Sequence, residues 1–337
     1  MPYSVSVALC TYNGERYVDE QVRSILSQSR LPDEVVVADD GSTDQTLAII
    51  RVAFEGSSVR LVVLEPEESP LGVTANFERA VRACSGDLIA LCDQDDVWHF
   101  DRLDRALREF DQSPRLLLQH SDARLTDADG RPLGVTLFEG LSISPAELEL
   151  IGHGRAFDAY LRRNLATGAT VVFRRSLLEA ALPFPREWVH DEWLAIMAAA
   201  IGTTQALEAQ LIDYRQHGSN QIGVQKPTLR YKIGRMLEPR ADRYQRLAER
   251  SAVLRSRLEA LSAAGAGARA GAGASSVDER VLRLARQKAS FEAARAHYPR
   301  ARLLRLGPVL RQWRRGSYRV LSSQGDLDIA RDVLQPA

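Results

Sequence analysis

A chain of 337 residues, 45% hydrophobic and 26% charged, has the make-up of a soluble globular protein, long enough for one large α/β domain plus an extension or for two domains. Its three cysteines exclude a disulfide framework or zinc knuckle, and no apolar run nears the roughly 18 residues of a membrane span. The zero net charge hides a division: residues 1–225 carry 20 arginines, no lysine and 34 acids, a net −14, whereas residues 226–320 carry 23 basic and 7 acidic side chains, a net +16.

Strand and helix signals alternate along the first third. Val5, Val7 and Leu9 share one face of a strand over 4–10, and Val18, Val22, Ile25 and Leu26 follow at helical spacing. Val35-Val36-Val37 is a short buried strand, followed by a helix containing Leu47, Ile50 and Phe54. A strand at 60–64, a helix carrying Phe77, Ala80 and Val81, a strand at 88–92 and a helical stripe of Leu103, Ala106, Leu107 and Phe110 complete the series. Strands separated by helices of this length predict a Rossmann-like, doubly wound, mostly parallel sheet. From 116 to 222 the pattern is irregular, with strand-like pieces at 116–119, 170–173 and 207–213. Residues 226–337 read as an Arg-rich, mainly helical extension with a flexible Ala/Gly connector at 263–274. The expected domains are therefore 1–225 and 226–337. Cys10 and Cys92 read as buried thiols, and with no signal-peptide pattern at the N-terminus a cytoplasmic location is expected.

Three polar clusters fall at the carboxyl ends of predicted strands, where doubly wound sheets bind ligands. Thr11-Tyr12-Asn13-Gly14 is either a loop whose backbone N–H groups and Tyr12 ring receive a nucleotide, or a plain strand-to-helix turn. In Asp39-Asp40-Gly41-Ser42-Thr43-Asp44 a carboxylate can accept a base N–H or a ribose hydroxyl, while Asp44 can simply cap a helix. Asp93-Gln94-Asp95-Asp96 gathers three carboxylates within four residues, which raise one another's pKa unless a cation sits among them. Hard divalent ions suit such oxygen ligands and keep positions open for substrate phosphates. The competing reading is a solvated acidic turn that caps the helix near Phe100.

Taken together, residues 7–15 (VALCTYNGE), 35–46 (VVVADDGSTDQT), 72–76 (GVTAN) and 87–98 (DLIALCDQDDVW) resemble the family-2 glycosyltransferases of the GT-A fold, over roughly residues 3–225. That resemblance implies a nucleotide-sugar site drawing on Thr11, Tyr12, Asn13, Glu15, Asp39, Asp40, Asn76, Asp93 and Gln94, with Asp40 at the base. It also implies Mn²⁺ or Mg²⁺ tied by Asp93 and Asp95 to the donor diphosphate. Residues 164–170 (NLATGAT) resemble the loop that walls the sugar pocket, through Thr167 and Gly168. Residues 188–193 (WVHDEW) match the position of the general base, here Asp191 with Glu192 as fallback, and His190 stands where the family usually has Glu. Without the resemblance, Asp191 and Glu192 are acids favouring a helix N-terminus. Residues 214–220 (YRQHGSN) resemble an Arg-x-His element, in which Arg215 is expected to pair a phosphate and His217 to complete the metal shell.

The implied reaction is inverting, metal-dependent sugar transfer to a hydroxyl of a glycan or lipid-linked acceptor. Within the family the motifs most resemble bacterial rhamnosyltransferase-type members of surface polysaccharide synthesis, which gives dTDP-rhamnose as the expected donor and a UDP-hexose as the alternative. The Gln-x-x-Arg-Trp element of processive synthases is absent, so one sugar per encounter is expected. A metal-dependent nucleotidyltransferase or phosphohydrolase, and a non-catalytic sugar-nucleotide-binding protein, are the rival classes. In the extension, Leu304, Leu306, Val309, Leu310 and Trp313 alternate with Arg302, Arg305, Arg311, Arg314 and Arg315. This fits either peripheral contact with anionic lipid or a helical bundle packing on the acidic core. No nucleic-acid reader motif accompanies the charge, so nucleic acid is not an expected partner.

Overall fold

A computed structural model describes residues 3–217, 242–267 and 277–336. The first seven elements follow the predicted alternation: β1 (Val5–Thr11), α1 (Val18–Leu26), β2 (Glu34–Asp39), α2 (Thr46–Ala53), β3 (Arg60–Val63), α3 (Val73–Ala83) and β4 (Leu88–Cys92). Then come β5 (Val97–Trp98), α4 (Arg102–Gln112), β6 (Leu116–Thr126), β7 (Pro132–Thr136), α5 (Leu137–Gly140), α6 (Pro145–Gly152) and α7 (Ala156–Tyr160). The series closes with β8 (Val172–Arg174), α8 (Leu178–Ala181), α9 (His190–Ile201) and β9 (Thr203–Arg215).

The nine strands form one sheet in the order β3-β2-β1-β4-β8-β6-β9-β5, with β7 on β6. Every residue of β1, β2 and β4 is buried, which is why these strands read as continuous apolar runs rather than alternating ones. α1 buries Val18, Val22 and Ile25 in the same core, and α4 buries Leu103, Ala106 and Phe110. Cα partners Thr11↔Asp39 and Leu9↔Cys92 make β1, β2 and β4 finish nearly level, so the three polar clusters leave the sheet side by side.

The expected mostly parallel sheet is a mixed one. β3, β2, β1 and β4 are parallel, but β8 runs antiparallel to both β4 and β6, and β5 runs antiparallel to β9. These reversals position the site. Because β8 opposes β4, with Ala90 facing Val172 and Leu88 facing Arg174, the turn preceding β8 is carried to the carboxyl end of β4. Pairing of Val97 with Asp213 likewise sets the end of β9 beside residues 95–96. β9 exceeds its predicted range at both ends, and its pairing with β6 shifts register three times, which blurs the two-residue period.

Residues 155–164 and those described beyond 241 form a second compact unit, and the other described residues form the first. The second unit contains α7, α10 (Arg243–Gly267), α11 (Glu279–Ala296), α12 (Arg302–Arg314), α13 (Ser317–Leu321) and α14 (Asp326–Leu334). Residues 155–164 join it through both carboxylate oxygens of Asp158, 2.5 Å from Arg280 Nη2, and through Arg162 Nε donating to Ser322 O. Of the Ala/Gly connector expected at 263–274, residues 263–267 are the last turns of α10 and the rest lies outside the described residues. No helix among the described residues is long and apolar enough to cross a membrane.

Candidate active site

The loops after β1 and β2 lock together through side chains first read as ligand contacts. Thr11 Oγ1 donates to Asp39 Oδ2 at 2.6 Å, and the same carboxylate accepts the N–H groups of Gly41 and Ser42 and the Ser42 hydroxyl. Asn13, in the left-handed region at φ 46°, donates its N–H to the Ser42 hydroxyl oxygen and accepts the Thr43 N–H on its Oδ1. Glu15 Oε2 accepts from Gln45 N, and Asn76 Nδ2, buried, donates to Ala38 O at 2.7 Å. Thr11, Asn13, Glu15, Asp39 and Asn76 therefore shape the loops. Asp40 accepts the N–H groups of Leu71 and Gly72 at 2.6 and 2.9 Å and so fixes the entry to α3. Tyr12 alone of the first cluster presents its ring outward, 54% exposed.

Gln94 ties the third cluster to the first. Its Oε1 accepts Tyr12 N–H at 2.8 Å and its Nε2 donates to Tyr12 O at 3.0 Å, a reciprocal clamp laid against Gly14. Around it the carboxylates crowd. Burial, then the charges of Asp95 and Asp191, push the Asp93 carboxyl up to about 7. Asp96 is buried and pushed well above the usual carboxylate range by desolvation and by Asp95 and Asp93; its Oδ2 has no hydrogen-bond partner. Asp95 Oδ2 lies 2.8 Å from His217 Nε2, and the His217 ring stacks on Tyr17 with centroids 4.8 Å apart.

Two buried arginines offset this charge. Arg102 sits over the Trp98 ring at 3.9 Å, and burial lowers its pKa to about 10 even though Cys92, Asp96 and Asp93 favour its charged form. Arg102 belongs to none of the polar clusters of the sequence, and only its place directly before the apolar stripe of Leu103, Ala106 and Phe110 hints at burial. Arg215 was expected to face a phosphate. Instead its Nε donates to Asp95 O, its Nη1 to Ala128 O and its Nη2 to Glu20 Oε2, with the side chain 4% exposed. Those donors brace the acidic loop, since the end of β9 must hold residues 95–96 in place.

Asp191 opens α9 and is buried; its Oδ2 accepts Gly168 N–H at 2.8 Å and its Oδ1 accepts Glu192 N–H at 2.6 Å. Gly168 lies in the turn that β8 pairs to the end of β4, and Asp191, hydrogen-bonded to it, is one of the charges that raise Asp93. Thr167 and Gly168 open that turn, and a Cβ on Gly168 would come within 2.9 Å of His190 Nε2. Glu192 is only partly buried. His190 stacks on Phe77 with centroids 3.9 Å apart; burial lowers its pKa to about 3, and neither ring nitrogen has a hydrogen-bond partner. Asp93, Asp95 and His217 were expected to ligate a metal, and Asp95 and His217 do meet. Among the described residues, however, no three His, Cys, Asp or Glu side chains are grouped so as to hold a metal ion. The Asp95–His217 pair and the unpartnered Asp96 Oδ2 are donors of the kind taken by a hard divalent ion that draws its other ligands from phosphate and water.

Strand ends that gather acids opposite a carboxylate at a helix start, on an α/β sheet of this order, define a glycosyltransferase of the GT-A class. The chain belongs to glycosyl transferase family 2, whose model matches residues 6–180 and stops short of Asp191, Arg215 and His217. It is 27% identical over 221 residues to an uncharacterized glycosyltransferase of Nostoc, covering 64% of this chain and 66% of that protein. It is 33% identical over 103 residues to the dTDP-rhamnosyl transferase RfbG of Shigella flexneri, covering 29% and 35%. The chain spans less than two thirds of the length of these relatives. The Staphylococcus aureus TarS 1–349 structure with UDP-GlcNAc superposes with a TM-score of 0.54 at 19% identity, covering 97% of this chain and 89% of that one, a likeness of fold.

Proposed function

We propose that this chain transfers one sugar per encounter from a nucleoside-diphosphate donor to an acceptor hydroxyl, with inversion at the anomeric carbon. The observation that carries this is geometric: Asp191 accepts Gly168 N–H at 2.8 Å, in the turn that the β4–β8 pairing carries to the strand end from which Asp93 and Asp95 emerge. Asp191 is accordingly among the charges that, after burial, raise the Asp93 carboxyl. Asp191 takes the acceptor proton as the hydroxyl oxygen attacks the anomeric carbon, and the bond to the diphosphate breaks with its electron pair leaving on phosphate oxygen. Asp95 and His217, which meet at 2.8 Å, would hold Mn²⁺ or Mg²⁺ with Asp93 of the same loop, and such an ion would supply charge neutralisation for the departing diphosphate. Tyr12 offers its exposed ring to the nucleotide base, and Thr167 and Gly168 bound the sugar.

Likeness to the dTDP-rhamnosyl transferase favours dTDP-rhamnose, with a glycan or lipid-linked acceptor in surface polysaccharide synthesis. The UDP-GlcNAc bound in TarS keeps a UDP-hexose as the second donor. Asp191→Asn keeps the shape and removes the base. Transfer should drop about 10²- to 10⁴-fold, while donor affinity, read by thermal shift with dTDP-rhamnose and UDP-glucose, stays within twofold. A variant that transfers sugar at the native rate removes Asp191 from this role.

A further inference from the structure

α12 buries little of itself. Of its 13 residues only Arg305 and Val309 are buried. Arg305 does so as a structural clamp, donating to the carbonyl oxygens of Pro299, Arg300 and Gln335. On the rest of the surface stand Leu304, 66% exposed and set apart beside Arg311, and Leu303, Leu306, Leu310 and Trp313, exposed by 81, 50, 43 and 53%. The spacing of the last four, by three, four and three residues, places them in one stripe about 80° wide at 100° per residue. The stripe borders the face that holds Arg305 and Val309, with Trp313 one turn beyond Val309. Arg302 flanks it on one side, and Arg314 and Arg311 on the other, all three exposed. Residues 293–325 contain no acid at all.

We propose that this stripe is a membrane-docking face that lies in the headgroup layer of an anionic bilayer, Leu and Trp in the interface and the arginines on lipid phosphates. An apolar stripe bordered by arginines and carrying a tryptophan is the pattern of an interfacial helix. A second copy of the chain fits it poorly, because a two-fold contact would bring the arginine borders of both copies together without an acid to pair them. The site of sugar transfer plays no part in the argument, so failure of one reading leaves the other standing.

The molecule carries its own reporter. Of the four tryptophans, Trp98, Trp188 and Trp193 are 3, 7 and 0% exposed, so a change of solvent around indole reports Trp313. The full-length chain should float with vesicles containing about 30% phosphatidylglycerol but not with phosphatidylcholine alone, and lose that binding as salt rises. Trp313 emission should shift to the blue on binding and be quenched by brominated lipid. Each arginine at such a surface is worth roughly fivefold in partitioning, so Arg302→Gln/Arg311→Gln/Arg314→Gln should bind about a hundredfold more weakly. Leu306→Gln/Leu310→Gln/Trp313→Gln should abolish flotation. Both triple variants change exposed positions, so unfolding midpoints should match the native chain. The proposal is overturned if the native chain ignores phosphatidylglycerol, if either folded variant floats as well as the native chain, or if the native chain is a dimer in solution that the apolar variant dissolves.

Discussion

His190 is where the chain departs from the family pattern, and its surroundings explain what the departure does. An acid there would add a carboxylate beside Asp191, in a crevice where Asp93 and Asp96 are already pushed toward neutrality. A buried imidazole with a pKa of about 3 adds no charge at neutral pH and fills the space against Phe77 by stacking. The cost appears in acid. Unfolded, the imidazole binds a proton near pH 6.5; folded, it does not until about pH 3, so stability falls as pH drops through that window by about 1.4 kcal/mol per unit. His190→Phe keeps the stack and removes the titration. Urea unfolding at pH 6.5 and 5 should show the native chain losing about 2 kcal/mol more than the variant between those conditions. Equal losses would mean that solvent reaches the ring. The substitution of His for Glu was legible in the sequence. Its burial was not, because Phe77 lies on α3, 113 residues earlier in the chain.

At the level of elements, the sequence showed where the site would be more clearly than what each residue does there. Strand–helix alternation through β4 and the three polar clusters were readable because β1, β2 and β4 are short buried runs ended by turn residues. Motif logic does not separate a side chain that touches ligand from one that holds the loop: Thr11, Asn13, Asp39 and Asn76, expected at the nucleotide-sugar site, also bond neighbouring loops and strands. The antiparallel half was hidden for another reason. The strand-like piece at 170–173 falls on β8, but a three-residue strand after a tight turn at Gly168–Thr170 carries no signal of the direction in which it pairs. The clamp between Tyr12 and Gln94 joins two of the legible clusters, and Gly14 is the residue that leaves room for it, since a Cβ would come within 2.2 Å of Gln94 Oε1. Gly14→Ala must displace that amide and lose both hydrogen bonds, at a cost of about 1–3 kcal/mol. Gln94→Ala should cost a similar amount alone, and adding Gly14→Ala to it should cost almost nothing further. A double-mutant cycle by thermal unfolding measures this. Additive losses would show that Gly14 matters for some other contact.

Across the whole chain, the −14/+16 division stated that two modules exist without stating what the arginines of the second do. They divide into two populations. Arg302, Arg311 and Arg314 are exposed around the apolar stripe, whereas Arg295 and Arg305 are interior. The interior set centres on Asp332, fully buried on α14, which accepts from Arg295 Nε and Nη2 at 2.8 and 3.0 Å, Tyr244 Oη at 2.6 Å and Tyr318 Oη at 2.7 Å. Glu292 pairs with Arg295 and with Lys288, whose Nζ also donates to Leu321 O. One carboxylate thereby joins α10, α11, α13 and α14, a connection invisible in sequence because its members lie up to 88 residues apart. A paired buried charge stabilises little in net terms, but removing one member strands the other. Asp332→Asn keeps the volume and leaves Arg295 with Glu292 as its remaining buried counter-charge. The second unit should lose about 3–5 kcal/mol. Hydrogen exchange would locate the loss: amides of α11 and α14 should exchange faster by two to three orders of magnitude, since each about 1.4 kcal/mol is a factor of ten. Amides of β1 and β4 serve as the internal reference. Unchanged protection in α11 would mean that apolar packing by Leu282, Ala285 and Phe291, not the charge network, holds these helices together.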